Sequence, residues 1–263
     1  MASRRHRFWA SGLGLAMKSH AARSSVAASA PAATPLLTDL IAYWDLDETS
    51  GTRADSHTNG LDLTDNNTVG SGLGVDGVST AADFELDNSE YLSRASESAS
   101  QPSATSGFTV CGWARLEGYG FYGPVLAKDD VSSRTFVLMP NNSGDSLPAM
   151  HVNGDSIKAL WGAQLNLDTW YFIVGWWDPA DGKAYIQVNN GTPVASAGTG
   201  TVITDGTATI TIGALGDGST YKSDGRMQSV GYWNRVLTSD ERTWLYNSGS
   251  AARTYAEVAA YTG

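Results

Sequence analysis

From Leu36 onward the chain alternates short apolar runs with clusters of Gly, Asn, Asp, Ser and Pro. That rhythm predicts many short strands joined by tight turns rather than helices. In the first run residues 42, 44 and 46 point one way and 41, 43 and 45 the other. Trp44 and Leu46 are therefore expected in a core, with Tyr43 and Asp45 outside it. The same reading predicts strands over 40–46, 61–64, 81–86, 90–93, 107–116, 122–127, 134–139, 148–152, 157–161, 170–177, 183–189, 201–204, 208–213 and 226–235. Asp178-Pro-Ala-Asp-Gly182 turns 170–177 back along 183–189 as a hairpin. Both faces of 170–177 are apolar, Phe172, Val174 and Trp176 against Tyr171, Ile173 and Trp177. Its outer face needs either a covering loop or a second subunit.

One helix is expected. Thr238-Ser-Asp-Glu241 has the capping-box pattern, Trp244 and Leu245 follow on an apolar side, and Gly249 ends the element. The chain divides into an Ala/Ser-rich arm (1–35) punctuated by Pro31 and Pro35, a β-sandwich (36–250), and a C-terminal tail (251–263) with no clear element signal.

Composition sharpens this picture. Charged residues are only 17% and aromatics 10%, with 29 Gly, which suits strands and turns around a rigid apolar core. The net charge is −10, and it is uneven. Arg4, Arg5, Arg7, Lys18 and Arg23 lie in the arm with no acidic residue, which leaves 12 of the 17 basic residues against all 27 acidic ones in the body, a balance of −15. Such a body repels nucleic acid and anionic membranes, so no specific nucleic-acid partner is expected, and it attracts cations such as calcium. No stretch is long and apolar enough for a membrane span, so no membrane insertion is expected. The lone Cys111 excludes an internal disulfide; it sits in an apolar strand pattern and reads as a buried, inert thiol. The amino-terminal region carries two readings. Arg4-Arg5 before an apolar stretch to Met17, with Ala28-Ser-Ala30 beyond, is patterned like an export leader. Lys18 and His20 favour instead an arm that orders on docking to neighbours.

Landmarks then recur in a set order: Tyr43-Trp-Asp-Leu-Asp-Glu48, Ala54-Asp-Ser-His-Thr-Asn-Gly60, Ala82-Asp-Phe84, Phe108-Thr-Val-Cys-Gly-Trp113, Trp170-Tyr-Phe-Ile-Val174, Tyr185-Ile-Gln-Val-Asn-Asn-Gly191, Ile210-Thr-Ile-Gly213 and Gly225 through Glu241. In this order the chain resembles the laminin-G-like jelly rolls of the concanavalin A-like lectin/glucanase superfamily, over roughly residues 36–250. The resemblance implies an all-β fold, two antiparallel sheets packed face to face, with the short C-terminal helix and the extended amino-terminal arm as additions. It further implies carbohydrate or protein binding and a structural calcium. The wording of 36–40 and 63–70 looks most like versions in tailed-phage virion proteins.

Candidate sites follow. For calcium, Asp55 and Asn59 of the family's first loop are the ligands, with Asp47 and Glu48 as additions, although Gln228-Ser229 replaces the acidic residues of many relatives. For sugar, Tyr119, Phe121 and Tyr122 in a glycine-flexed loop, Asp129 and Asp130 beside them, and Trp161 and Trp177 near strand ends supply aromatic faces and polar groups. Trp44, Trp113, Trp170, Trp176 and Trp233 read as core. Glu85, Asp87 and Glu90 match the carboxylate spacing of the β-glucanase branch, but Asp87-Asn-Ser supplies turn formers where that chemistry needs a rigid strand. A solvated loop is expected there, and no enzyme. His6, His20, His57 and His151 show no metal-ligand spacing, and His57 and His151 read as solvent-facing.

These readings describe a non-enzymatic virion structural or surface protein. The arm would join it to its own copies or to other virion proteins, and the sandwich would face outward toward host-surface glycans. A secreted, extracellular bacterial lectin is the alternative; a glycoside hydrolase using Glu85, Asp87 and Glu90 is the second.

Overall fold

The computed structural model describes Met1 and residues 35–119, 123–130, 133–202, 208–216, 218 and 221–263. Nearly all of the arm, and Phe121 and Tyr122, lie outside the described residues. The chain divides into Met1–Ala32 and Ala33–Gly263, and every element below belongs to the second unit.

Fifteen strands are present among the described residues: β1 Leu40–Trp44, β2 Thr64–Asn66, β3 Gly70–Leu73, β4 Thr80–Phe84, β5 Tyr91–Arg94, β6 Phe108–Leu116, β7 Leu126–Asp130, β8 Ser133–Met139, β9 Ala149–Val152, β10 Ile157–Leu160, β11 Trp170–Asp178, β12 Lys183–Val188, β13 Val194–Ala195, β14 Thr209–Ile212 and β15 Gly225–Trp233. One sheet runs β13-β12-β11-β6-β15-β4-β3, with β1 also on β15; the other runs β10-β9-β8-β7-β14-β5-β2. All named strand pairs are antiparallel. The β11–β12 hairpin forms as the sequence predicts, from Ile173↔Val188 to Asp178↔Lys183. A bulge between Gln228 and Gly231 lets β15 pair with β4 along its first half and β1 along its second.

Two strands, β3 and β13, go unread in the sequence because Gly70-Ser-Gly-Leu73 and a two-residue pair carry no alternation. The strand expected over 61–64 forms at 64–66, while Leu61 and Leu63 fill the core from a loop. The strand expected over 122–127 lies at 126–130. Lys128, Asp129 and Asp130 fall beyond the expected strand, yet they belong to β7, where Lys128 is fully buried and its Nζ donates to Ser96 Oγ at 2.7 Å and Ala208 O at 2.8 Å.

Alternation along the strands produces two cores. The inward set, including Trp44, Phe84, Phe108, Val110, Phe136, Leu138, Ile173, Ile186, Ile210 and Tyr232, packs between the sheets. The outward set of the first sheet, Tyr43, Cys111, Trp113, Phe172, Val174, Trp176 and Trp233, is also buried. Its cover is the chain's own carboxyl-terminal segment together with Leu36. Helix α1 (Ser239–Tyr246) contributes Leu245, helix α2 (Tyr255–Ala260) contributes Val258, and Leu237 joins them. A covering segment of the same chain therefore answers the two-faced pattern of β11. Tyr43, expected outside, is buried beneath this cover, its hydroxyl donating to Arg253 O at 2.5 Å.

The cover is held by paired caps. At α1, Thr238 Oγ1 accepts from Glu241 N, and Glu241 Oε2 accepts from Thr238 N at 2.7 Å, as the sequence predicts. Asn247, in the left-handed region, ends that helix before Gly249 is reached. Thr254 and Glu257 repeat the box at α2, an element absent from the sequence reading of the tail. Asp45 Oδ1 also accepts from Tyr255 N at 2.8 Å, which places a carboxylate at the positive end of α2. Gly231 makes the close approach possible: a Cβ there would lie 2.4 Å from the Trp233 ring.

Candidate functional site

The second sheet turns a different face outward. In register across it run Ser93, Thr211, Ala127, Val137, His151 and Lys158. Small and apolar residues make the floor, where Ala127, Val137 and Met139 meet Leu215 of the loop after β14. Charged and amide groups gather over β8, β9 and β10. They line a depression of about 200 Å³ together with Tyr221: Arg134, Asn142, His151, Asp155 and Lys158.

Each of these groups is held by another. Arg134 Nη1 donates to Asp155 Oδ1 at 2.8 Å, and its Nε lies 3.6 Å from Asp129 Oδ2. His151 Nδ1 is 2.8 Å from Asp155 Oδ1, and its Nε2 is 3.0 Å from Asn142 Oδ1. The Asn142 amide nitrogen donates to Ser143 O and to Asp145 Oδ2, the latter at 3.0 Å. Lys158 Nζ reaches Asp145 Oδ2 at 3.3 Å. Burial lowers His151 to about 4 despite the Asp155 carboxylate; a neutral ring has one N–H and so donates to only one of the two oxygens that face it. Burial also pushes Asp129 up to about 6, opposed by Arg134. Tyr221 stands on the rim with 42% of its surface exposed. Locked side chains on three strands and two turns beside an exposed tyrosine are what a polar ligand needs: oriented donors and acceptors plus a face to lie on.

The sequence-derived sugar set does not converge. Tyr119 and Trp161 lie toward the start of β7. Tyr119 donates to Leu165 O at 2.8 Å, and half-buried Trp161 packs on the inter-sheet core and over Gly191. Asp129 and Asp130 end β7, about 13 Å further along at the usual strand rise. Trp177 is not a surface ring: it is buried between the sheets, and its Nε1 donates to Gly200 O at 3.2 Å. Phe121 and Tyr122 are outside the described residues. Asp129 is joined to the depression through Arg134. His151, read as solvent-facing, is buried at its centre. Its spacing to Asp155, four residues across the β9–β10 turn, was the available signal.

The expected calcium ligands serve the loop instead. Asp55 Oδ1 accepts from Tyr43 N and His57 N, and Oδ2 from Leu61 N, each at 3.0 Å. The Asn59 amide donates to Ile41 O at 2.8 Å. Amide hydrogens already point at the Asp55 carboxylate where a cation would have to approach, so this pair does not fit calcium. Gln228 likewise clamps a loop, accepting from Val75 N and donating to Ser79 Oγ and Thr80 O, each at 3.0 Å. Half-buried His57 lies 3.2 Å from the Tyr255 hydroxyl. Among the described residues, Asp83, Glu85 and Glu117 bring carboxylate oxygens within 4.8 Å of one another. Arg226 already sits among them, 2.9 Å from Asp83 and 3.6 Å from Glu117, and Arg115 pairs with Glu117.

The glucanase-like carboxylates form a turn. Glu85 precedes a 3-10 turn at Leu86–Asn88, and it and Asp87 are exposed. Glu90 is buried and accepts from Glu85 N at 2.9 Å and Asn88 Nδ2 at 3.0 Å. Cys111 is buried as expected, and desolvation pushes its thiol up to about 12. Among the described residues, no helix is long and apolar enough to cross a membrane.

A laminin-G-type family model of the concanavalin A-like lectin/glucanases superfamily matches residues 86–241, more than half of the chain. The chain belongs to this family. No curated protein matches its sequence. Among solved structures it is similar to domain 4 of AbnA, a GH43 extracellular arabinanase from Geobacillus stearothermophilus, in complex with arabinotriose. That match has a TM-score of 0.59 at 17% identity and covers 78% of this chain and 97% of that one. The binding domain of Paraclostridial Mosquitocidal Protein 1 matches with a TM-score of 0.60 at 14% identity, over 80% of this chain and 52% of that one. Trypanosoma rangeli sialidase matches with a TM-score of 0.54 at 15% identity, and the match covers 80% of this chain but only 33% of the sialidase. At these identities the likeness is one of fold.

Proposed function

We propose that the protein is a non-enzymatic, lectin-like module that holds carbohydrate in the depression over β8, β9 and β10. The observation that carries this reading is the locked set of Arg134, Asn142, His151, Asp155 and Lys158 beside the exposed Tyr221 ring. The volume, about 200 Å³, suits one sugar ring at a chain end or branch rather than an enclosed oligosaccharide. Family membership and the arabinotriose complex of the arabinanase domain support the ligand class. The non-catalytic reading rests on Glu85, Asp87 and Glu90, which build a turn instead of flanking a cleft. A glycan array probed with the wild type and with Tyr221→Ala tests the site. Loss of about tenfold in affinity in the variant is expected, the worth of one stacked ring at roughly 1.4 kcal/mol. No binding to any glycan, or equal binding by both proteins, overturns it.

We place this module on a virion surface, joined to its own copies or to other virion proteins through the basic arm. The arm's composition and the phage-like wording of 36–40 and 63–70 support that setting. Intact mass and oligomeric state of the protein from its source decide it. Full-length chain in a large assembly is expected; a monomer trimmed near Pro31 would mean a secreted lectin instead.

A further inference from the structure

We infer that the site selects neutral glycans, through adjacent hydroxyls, and rejects sugars that carry a carboxylate or sulfate. This rests on the carbohydrate reading above and deepens it. The depression holds two cations, Arg134 and Lys158, and each is already paired with a carboxylate. Arg134 is bound by Asp155 at 2.8 Å and flanked by Asp129 at 3.6 Å; Lys158 is bound by Asp145 at 3.3 Å. Counting the groups in contact gives two positive charges against three carboxylates. Burial opposes charge on His151, and Asp129, at about 6, is mostly ionised at pH 7; even a charged His151 ring, with Asp155 and Asn142 oxygens on its two nitrogens, would only balance the three carboxylates. The nearby Lys222 is turned to Ser89 Oγ at 2.8 Å. An acidic sugar would have to displace one of these pairs and would then face the displaced carboxylate, in a body already carrying excess negative charge.

Hydroxyls meet no such barrier. Asp155 uses Oδ1 for Arg134 and His151 and is largely exposed, so Oδ2 is open to an incoming O–H. Asp145 uses Oδ2 for Asn142 and Lys158 and so fixes these two lining side chains. Arg134 keeps N–H groups beyond the one given to Asp155, with its charge compensated. A compensated guanidinium that donates, beside the Asp155 carboxylate that accepts, matches two neighbouring hydroxyls, each of which does both. Tyr221 supplies the ring face.

The test is titration of the wild type with paired glycans, neutral and sialylated or uronic, that share a core. Neutral members should bind at least about tenfold tighter, and their affinity should change less than about twofold between low and high salt, because no net charge is exchanged. Asp145→Asn, which frees Lys158, should narrow the gap by raising affinity for the acidic members. Tighter binding of acidic glycans, with a steep fall in salt, would overturn the inference while leaving the carbohydrate reading in place. Binding of neither kind, or binding unmoved by Tyr221→Ala, would overturn both.

Discussion

The two sheets of this sandwich treat their outer faces in opposite ways. The first covers its outer face with aromatic and aliphatic side chains and hides them under α1, α2 and Leu36. The second leaves ion pairs, an amide and an exposed tyrosine around a small depression. The contrast separates stability from recognition. Apolar area removed from water stabilises the fold in rough proportion to its extent, so the covered face is built for burial. Paired charges near the surface add little to stability, so the open face can be shaped around a ligand at small cost to the fold.

The largest expected effect lies on the covered face. Trp233→Ala removes a fully buried ring and its 2.7 Å hydrogen bond to Leu36 O, and should cost about 3–5 kcal/mol in urea unfolding. Asp55→Ala comes next. Three backbone amides lose their acceptor, and a loss of about 2–3 kcal/mol is expected in the same measurement. Acid should loosen the cover. Arg235 and the Thr238 amide hold Glu241 below its ordinary value of 4.5. Its contribution is therefore full above that value and is lost as pH falls from it through the depressed folded value. The stability gap between wild type and Glu241→Gln, followed by thermal melts, should shrink across that window. On the open face, Lys158→Ala should change stability by no more than about 0.5 kcal/mol. The smallest signal is spectroscopic: His151 ring resonances should stay at their neutral positions down to pH 5, while the Asp129 carboxyl titrates near 6. Titration of His151 near its ordinary 6.5 would mean that the Asp155 and Asn142 oxygens, which favour the charged ring, outweigh its burial.

Much of the covered face was legible in the sequence. Alternation placed Trp113, Trp176 and Trp233 in a core, and the two apolar faces of β11 demanded a cover. Thr254-Tyr-Ala-Glu257 repeats the cap pattern of Thr238-Ser-Asp-Glu241 and would have shown α2, had so short an element been sought. The partner of that cover was not legible, because Asp45 meets Tyr255 across 210 residues and no local pattern records such a contact. The open face was read least well. Polar residues carry no strand signal, so the strand expected over 122–127 stops short of Lys128-Asp-Asp130, which belong to β7. Loops dense in carboxylates and amides look like cation sites, so Asp55 and Asn59 were assigned to calcium rather than to the backbone of their own loop.

The two-sheet architecture came with the family resemblance, while by itself the sequence determined the strand-and-turn pattern, the β11–β12 hairpin, the α1 cap and the buried thiol. Each of these rests on residues close together in the chain or on a period set by backbone geometry. Tertiary structure alone decided where the polar groups meet. Arg134, Asn142, His151, Asp155 and Lys158 come from three strands and two turns, and whether a charge is paired, buried or open to a ligand depends on neighbours that strand pairing brings together.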